Sequence, residues 1–199
     1  SKLPIYFNLL SASLEALGKL IEAEEILLKA IKINPNEISF RSNISRVQRI
    51  LKKYKESEDN LVYGLKIDKD NNHLLFNLGI LKLNSKKFKE ANKLFKKLSE
   101  LNLKYPDALL FLAQSYLDLA YEKNNNEYYE NAKKSFLDSS KLFPERVYAD
   151  FQLSTLIDYS VDDTHQKILL EKYKKQSLNP RQKAQICSAI AKSYEDQNK

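Results

Sequence analysis

Tryptophan and methionine are absent from this 199-residue chain, cysteine occurs once, and glycine and proline are scarce at three and five. So few turn-formers exclude a loop-rich all-β protein, whose many reversals need those residues. The lone cysteine, Cys187, has no partner for an internal disulfide. That fits a reducing compartment without excluding a periplasm-like one. No apolar run approaches the roughly 18 residues that a membrane span requires. A chain that opens on Ser1 and lacks methionine reads as processed or as a fragment, so a removed signal or anchor would be invisible. Localisation stays open between the cytoplasm and an exported compartment.

Catalytic raw material is equally thin. His73 and His165 stand far apart with no Cys, Asp or Glu at ligand spacing, and both read as surface or groove histidines. Cys187, flanked by Ile186 and Ala189, reads as a buried helix cysteine. Gly18, Gly64 and Gly79 are isolated, which leaves no phosphate-cradling loop. The expectation is no enzyme, no cofactor and no metal.

What the chain does have is helical periodicity, with 43% hydrophobic residues to build a core. Apolar or small residues at Phe7, Leu10 and Leu14, then at Ala23, Leu27 and Ala30, are interrupted near Gly18 and closed by Pro35. This spacing predicts helices over about 4–17 and 20–33. Each has only an apolar stripe, so the pair needs a neighbouring copy to bury both faces. A shift of 34 residues brings Tyr54, Ser57, Leu61 and Gly64 onto the same slots, and a second shift brings Leu78, Gly79, Phe88, Ala91 and Phe95.

Period and pattern together resemble the tetratricopeptide repeat: Phe7, Leu10, Ser11, Leu14, Ala23, Leu27 and Pro35 in the first copy, and Leu78-Gly79 with Ala91 and Phe95 in the third. The second copy is weak, with Arg41, Ser57 and Lys69 at the aromatic, alanine and proline slots, so a thin, mobile seam is expected there. In the third, Leu98, Leu101 and Pro106 suggest an overrun second helix, and the fourth carries an insertion over Tyr121–Tyr128 that reads as a surface loop or an extra helical turn. The fifth, from about Arg146, is eroded. The resemblance implies an all-α fold, a right-handed superhelix (α-solenoid) of about five hairpins near 4–36, 37–71, 72–106, 107–145 and 146–178. A capping helix over 179–199 closes it.

The resemblance also implies a function: a non-catalytic scaffold or adaptor for other proteins, whose groove is lined by the first helix of each hairpin. The family's register places Asn8, Ala12 and Glu15 there, then Ser42, Arg46 and Arg49, then His73, Phe76, Ile80 and Leu83. Leu110, Gln114 and Leu117 follow, then Tyr148, Phe151, Thr155 and Tyr159. The expected partner is an apolar or amphipathic helical segment of another protein. Self-association through the same groove, as a homodimer, is the alternative. Only Asn43 matches the Lys, Asn, Asn, Lys, Arg constellation that some repeats use to grip a terminal carboxylate. Arg41 to Lys97 holds 15 Lys plus Arg against 6 Asp plus Glu, a net +9 within a chain of +7. Yet the lysines of 89–97 alternate with apolar residues as on a solvated face, with no interleaved aromatics for base stacking, so nucleic acid is disfavoured and ranks behind an acidic protein or anionic surface as the basic block's partner.

Overall fold

The computed structural model describes residues 3–101, 105–174 and 178–197, and among them only helices occur as regular structure. The chain divides into two compact units, Ser1–Asn102 and Leu103–Lys199.

The first unit holds α1 (Leu3–Ala16), α2 (Leu20–Ile33), α3 (Ile38–Ile50), α4 (Tyr54–Ile67), α5 (Asn72–Asn84) and α6 (Phe88–Leu101). The second helices begin at residues 20, 54 and 88, so the 34-residue sequence period is also the period of the backbone. Helix α6 is described as far as Leu101, the counterpart of Ile33 and Ile67, and the overrun expected in the third copy falls on residues 102–104, outside the described residues.

The turns explain why the period is so strict. Gly18, Lys52 and Lys86, spaced by 34, all have positive φ, at 74°, 61° and 56°. In each turn the following residue's N–H reaches back to a carbonyl: Lys19 to Leu14, Lys53 to Gln48 and Lys87 to Lys82, all at 2.8 Å. This left-handed cap closes the last helical turn and aims the chain into the next helix. Glycine fills the position without strain only in the first copy.

Consecutive hairpins share a polar link beside their apolar cores. Glu24, on α2, is buried and accepts from Gln48 Nε2 at 3.1 Å and Lys53 Nζ at 2.6 Å. One period later Glu58, on α4, meets the buried Lys82 at 2.7 Å, and Lys82 also pairs with Glu90 at 2.7 Å. Around the first link, Ala23, Leu27 and Ala30 pack against Phe40, Ile44 and Val47. Around the second, Leu61 packs with Leu74, Leu78 and Leu81.

Two of the polar residues of the weak second copy, Ser57 and Arg41, find partners. Buried Ser57 donates to the Ser45 carbonyl at 2.8 Å. Arg41 lies 4.2 Å over the Tyr63 ring, donates to Asn60 at 2.8 Å and reaches the Pro35 carbonyl. Hydrogen bonds and a cation–π contact thus fill the seam where the sequence suggests thinning.

The second unit holds α7 (Pro106–Lys123), α8 (Asn126–Leu142), α9 (Tyr148–Ser154), α10 (Thr164–Lys174) and α11 (Pro180–Asp196). The insertion is an extra helical turn: α7 continues to Lys123, and Asn124 takes the left-handed position at φ 47°. Tyr121 meets Tyr129 edge-on at 5.5 Å, and Tyr116 stacks on Tyr128 at 6.3 Å, so aromatic pairs zip the lengthened hairpin. The last hairpin departs from the pattern, because α9 has only seven residues. Helix α11 opens with a capping box between Asn179 and Gln182 and buries Ile186 and Ala189 with Val147, Tyr159 and Leu169. Cys187, on the same helix, is exposed, contrary to the buried reading: it follows Ile186 by one residue, about 100° around the helix and off its buried stripe.

Replacing Lys52 by Gly relieves the left-handed strain and should raise stability by about 1 kcal/mol, read from the urea midpoint. Gly79→Ala should lower it by about 1–3 kcal/mol, because the added Cβ would lie 2.6 Å from the buried Phe95 ring.

Candidate interaction surface

In the first unit, α1, α3 and α5 pack side by side and are laced by polar side chains. Asn8 Nδ2 donates to Ser39 Oγ at 2.8 Å, Asn43 Nδ2 to Asn8 Oδ1 at 2.8 Å, and Asn77 Nδ2 to Ser42 Oγ at 2.9 Å. Each amide has two donors and an acceptor, so one bond apiece leaves Asn43 and Asn77 with capacity for a ligand. Next to them is a hollow of about 380 Å³ lined by Ile38, Ser39, Ser42, Asn43, Asn71 and His73. His73 is exposed at its rim.

Arg46 pairs with Glu15 across α1 and α3. Burial holds the Arg49 guanidinium below its ordinary value, and the neighbouring charge of Arg46 adds to this. Phe76 is half-buried and rests edge-on against Phe95 at 6.0 Å, while Ile80 and Leu83 are half-buried on the same helix. Part of the basic block is committed to acidic neighbours. Besides Arg46 and Lys82, Lys53 pairs with Glu24, Lys55 with Asp59 and Lys97 with Asp70.

The sequence-derived positions of the second unit fare differently. Leu110 and Tyr148 border a hollow of about 200 Å³, but Gln182 and Gln185 of α11 form one of its walls. Gln114 donates to Asp118 at 3.2 Å, and burial pushes that carboxyl up. Phe151 is half-buried, tilted against Tyr148. Leu117 is only 7% exposed, a core residue of α7 and not an open groove position. Tyr159 is 1% exposed and also no groove residue, since α9 stops at Ser154 and the chain after it turns Tyr159 inward, out of helical register with Phe151.

Around Tyr159 lies a buried polar network that sequence reasoning missed. The Tyr159 hydroxyl is 2.7 Å from His165 Nδ1, and His165 Nε2 is 3.2 Å from Asp150 Oδ1. Ser140 Oγ donates to Asp150 Oδ1 at 2.5 Å; Lys172 Nζ donates to Asp150 Oδ2 at 2.7 Å and to Ser140 Oγ at 2.8 Å. A carboxylate only accepts, so Nε2 carries the imidazole proton and Nδ1 accepts from the tyrosine. His165, 3% exposed, is therefore not the surface or groove histidine of the sequence reading. A usable signal was present: Asp150 and Lys172 carry opposite charges three residues from the buried Leu153 and Leu169, each on the apolar stripe of its helix.

Ser, Lys, Asp, His and Tyr together invite a catalytic reading, but all five are buried and spend their polar atoms on one another. Burial pushes the Asp150 carboxyl up; the His165 hydrogen bond and the Lys172 charge outweigh it and leave the group below its ordinary value. Burial, then the charges of Asp150 and Asp196, raise the Tyr159 phenol, which keeps it a donor. Among the described residues no cluster of three or more His, Cys, Asp or Glu is placed to hold a metal, and no helix is long and apolar enough to cross a membrane.

Helical hairpins repeated every 34 residues, stacked through second-to-first-helix contacts, define the class: an all-α helical-repeat fold. The family model described as tetratricopeptide repeat matches residues 3–37. Solved structures share the fold over nearly the whole chain. That of pilF from Pseudomonas aeruginosa has a TM-score of 0.72 at 16% identity, covering 98% of this chain and 89% of that one. YrrB, described as a TPR protein with an unusual peptide-binding site, gives 0.59 at 17%, covering 92% and 90%. MamA gives 0.64 at 13%, covering 94% of each chain. No curated protein matches the chain. The family's model is thus matched in the first repeat, and the remainder of the chain is similar to these solved structures in fold.

Asp150→Ala should cost about 3–5 kcal/mol in thermal unfolding, since it strands Lys172 and His165 in the core. Because the folded-state pKa of Asp150 lies below its unfolded value of about 3.9, its contribution is complete above that value and is lost as pH falls through the folded pKa. Asp150→Asn should remove this part of the acid dependence.

Proposed function

We propose that the chain is a non-catalytic adaptor that takes a segment of a partner protein on the first-helix face of its first unit. The observation that carries this is the in-register face of α1, α3 and α5, where Asn43 lines an open hollow of about 380 Å³ and Asn77 is bonded to Ser42 of its wall, each amide with capacity to spare. Phe76, Ile80 and Leu83 continue the same helix as a half-buried apolar strip. A polar end and an apolar strip suit an amphipathic helix, whose side chains at i, i+3, i+4 and i+7 enter such a groove while its polar flank meets the amides. The corresponding face of the second unit is narrowed by α11, which favours the first. YrrB, which shares the fold, is described as having a peptide-binding site.

The test is affinity capture with wild type, Phe76→Asp and the exposed-surface change His73→Glu, with circular dichroism confirming that each variant is folded. A partner held by wild type and lost by folded variants supports the groove. Unchanged capture refutes it, and retention of only the chain's own copies shifts the reading to a homodimer. Affinity for the apolar segment should change little between low and moderate salt, whereas binding through phosphates would fall steeply.

A further inference from the structure

The short α9 has a second consequence. The other first helices have 13 to 18 residues, but α9 ends after seven, and residues 155–163 form a non-helical linker before α10. Between α8 and α10 this opens a cavity of about 370 Å³. Its floor is apolar: Leu137 from α8, Leu153 and Ile157 from α9 and the linker, and Ile168 from α10. His165 borders it too, but both ring nitrogens are engaged by Tyr159 and Asp150, so it adds no free polar atom to the floor.

The rim is charged. Lys133 is paired with Glu130 at 2.8 Å, and Asp162 Oδ1 accepts from the Thr164 N–H at 2.9 Å, capping α10. Lys134 and Lys141, both exposed, make no ion pair among the described residues. They stand seven residues apart on one face of α8, about 10.5 Å along its axis, with Leu137 between them. The same spacing separates residues i and i+7 of any helix laid along α8.

We propose that this cavity is a second docking site, for an acidic amphipathic helix of a partner protein: its apolar stripe enters over Leu137, Leu153, Ile157 and Ile168, and carboxylates at i and i+7 pair with Lys134 and Lys141. It uses second-helix surfaces of the second unit and stands independently of the first-helix groove. A single-headed amphiphile such as a fatty acid would engage one lysine and leave the other unanswered.

The probe is a fluorescein-labelled, stapled helical peptide of about 16 residues with a leucine stripe flanked by glutamates seven apart, stapled because free helices of this length are marginal. Its twin carries lysines for the glutamates. Fluorescence anisotropy with the whole chain should show the acidic peptide binding wild type and binding Lys134→Glu/Lys141→Glu at least about tenfold more weakly. The lysine twin should reverse that preference. Both lysines are exposed and unpaired, so the variant keeps the fold; circular dichroism checks it. Absence of binding, equal affinity for the twins, or an affinity that Phe76→Asp alone reduces overturns the proposal. So does equal displacement of the peptide by dodecanoate from wild type and the lysine variant.

Discussion

Everything in the first unit depends on the contact by which one hairpin's second helix receives the next hairpin's first. A lone hairpin has an apolar stripe on each helix and nowhere to bury both, so stacking is a condition of folding. That contact couples close packing, as of Leu27 with Phe40 and Ile44, to the polar link from Glu24 to Gln48, repeated as Glu58 to Lys82. The apolar part drives association, and the polar part costs stability wherever a hairpin is displaced along its neighbour. Left-handed caps at residues 18, 52 and 86 keep helix lengths equal, so each link meets its counterpart.

The second unit solves the same problem by other means. Its hairpin of α7 and α8 is longer, and aromatic pairs absorb the extra turn. Its last hairpin has lost the alanine and proline slots and much of its first helix. There a buried network around Asp150 takes over, joining α8, α9 and α10, with Tyr159 held against α11. Such a network fixes geometry more stringently than apolar packing, because each displaced member leaves a buried polar group without a partner.

Several features of the fold were legible in the sequence because they follow from local chemistry. The 34-residue period, the break at Gly18 and the stop at Pro35 all arise from neighbouring residues. The site was legible only in part. A register argument assigns groove positions by counting, which holds while helices keep their length. It puts His73 and Tyr148 at exposed positions, whereas Tyr159, beyond the early end of α9, and Leu117, on α7, are buried.

The sequence by itself determined that the chain is helical, that its hairpins repeat and that each needs a neighbour, because periodicity and turn residues act over a few positions. Tertiary structure alone decided which charges are spent and which remain. Whether Lys82 is an exposed cation or a buried one held by Glu58 and Glu90, and whether His165 faces water or Tyr159 and Asp150, depends on residues 6 to 24 positions away. Chain folding brings those partners together, and no local pattern encodes the distance between them.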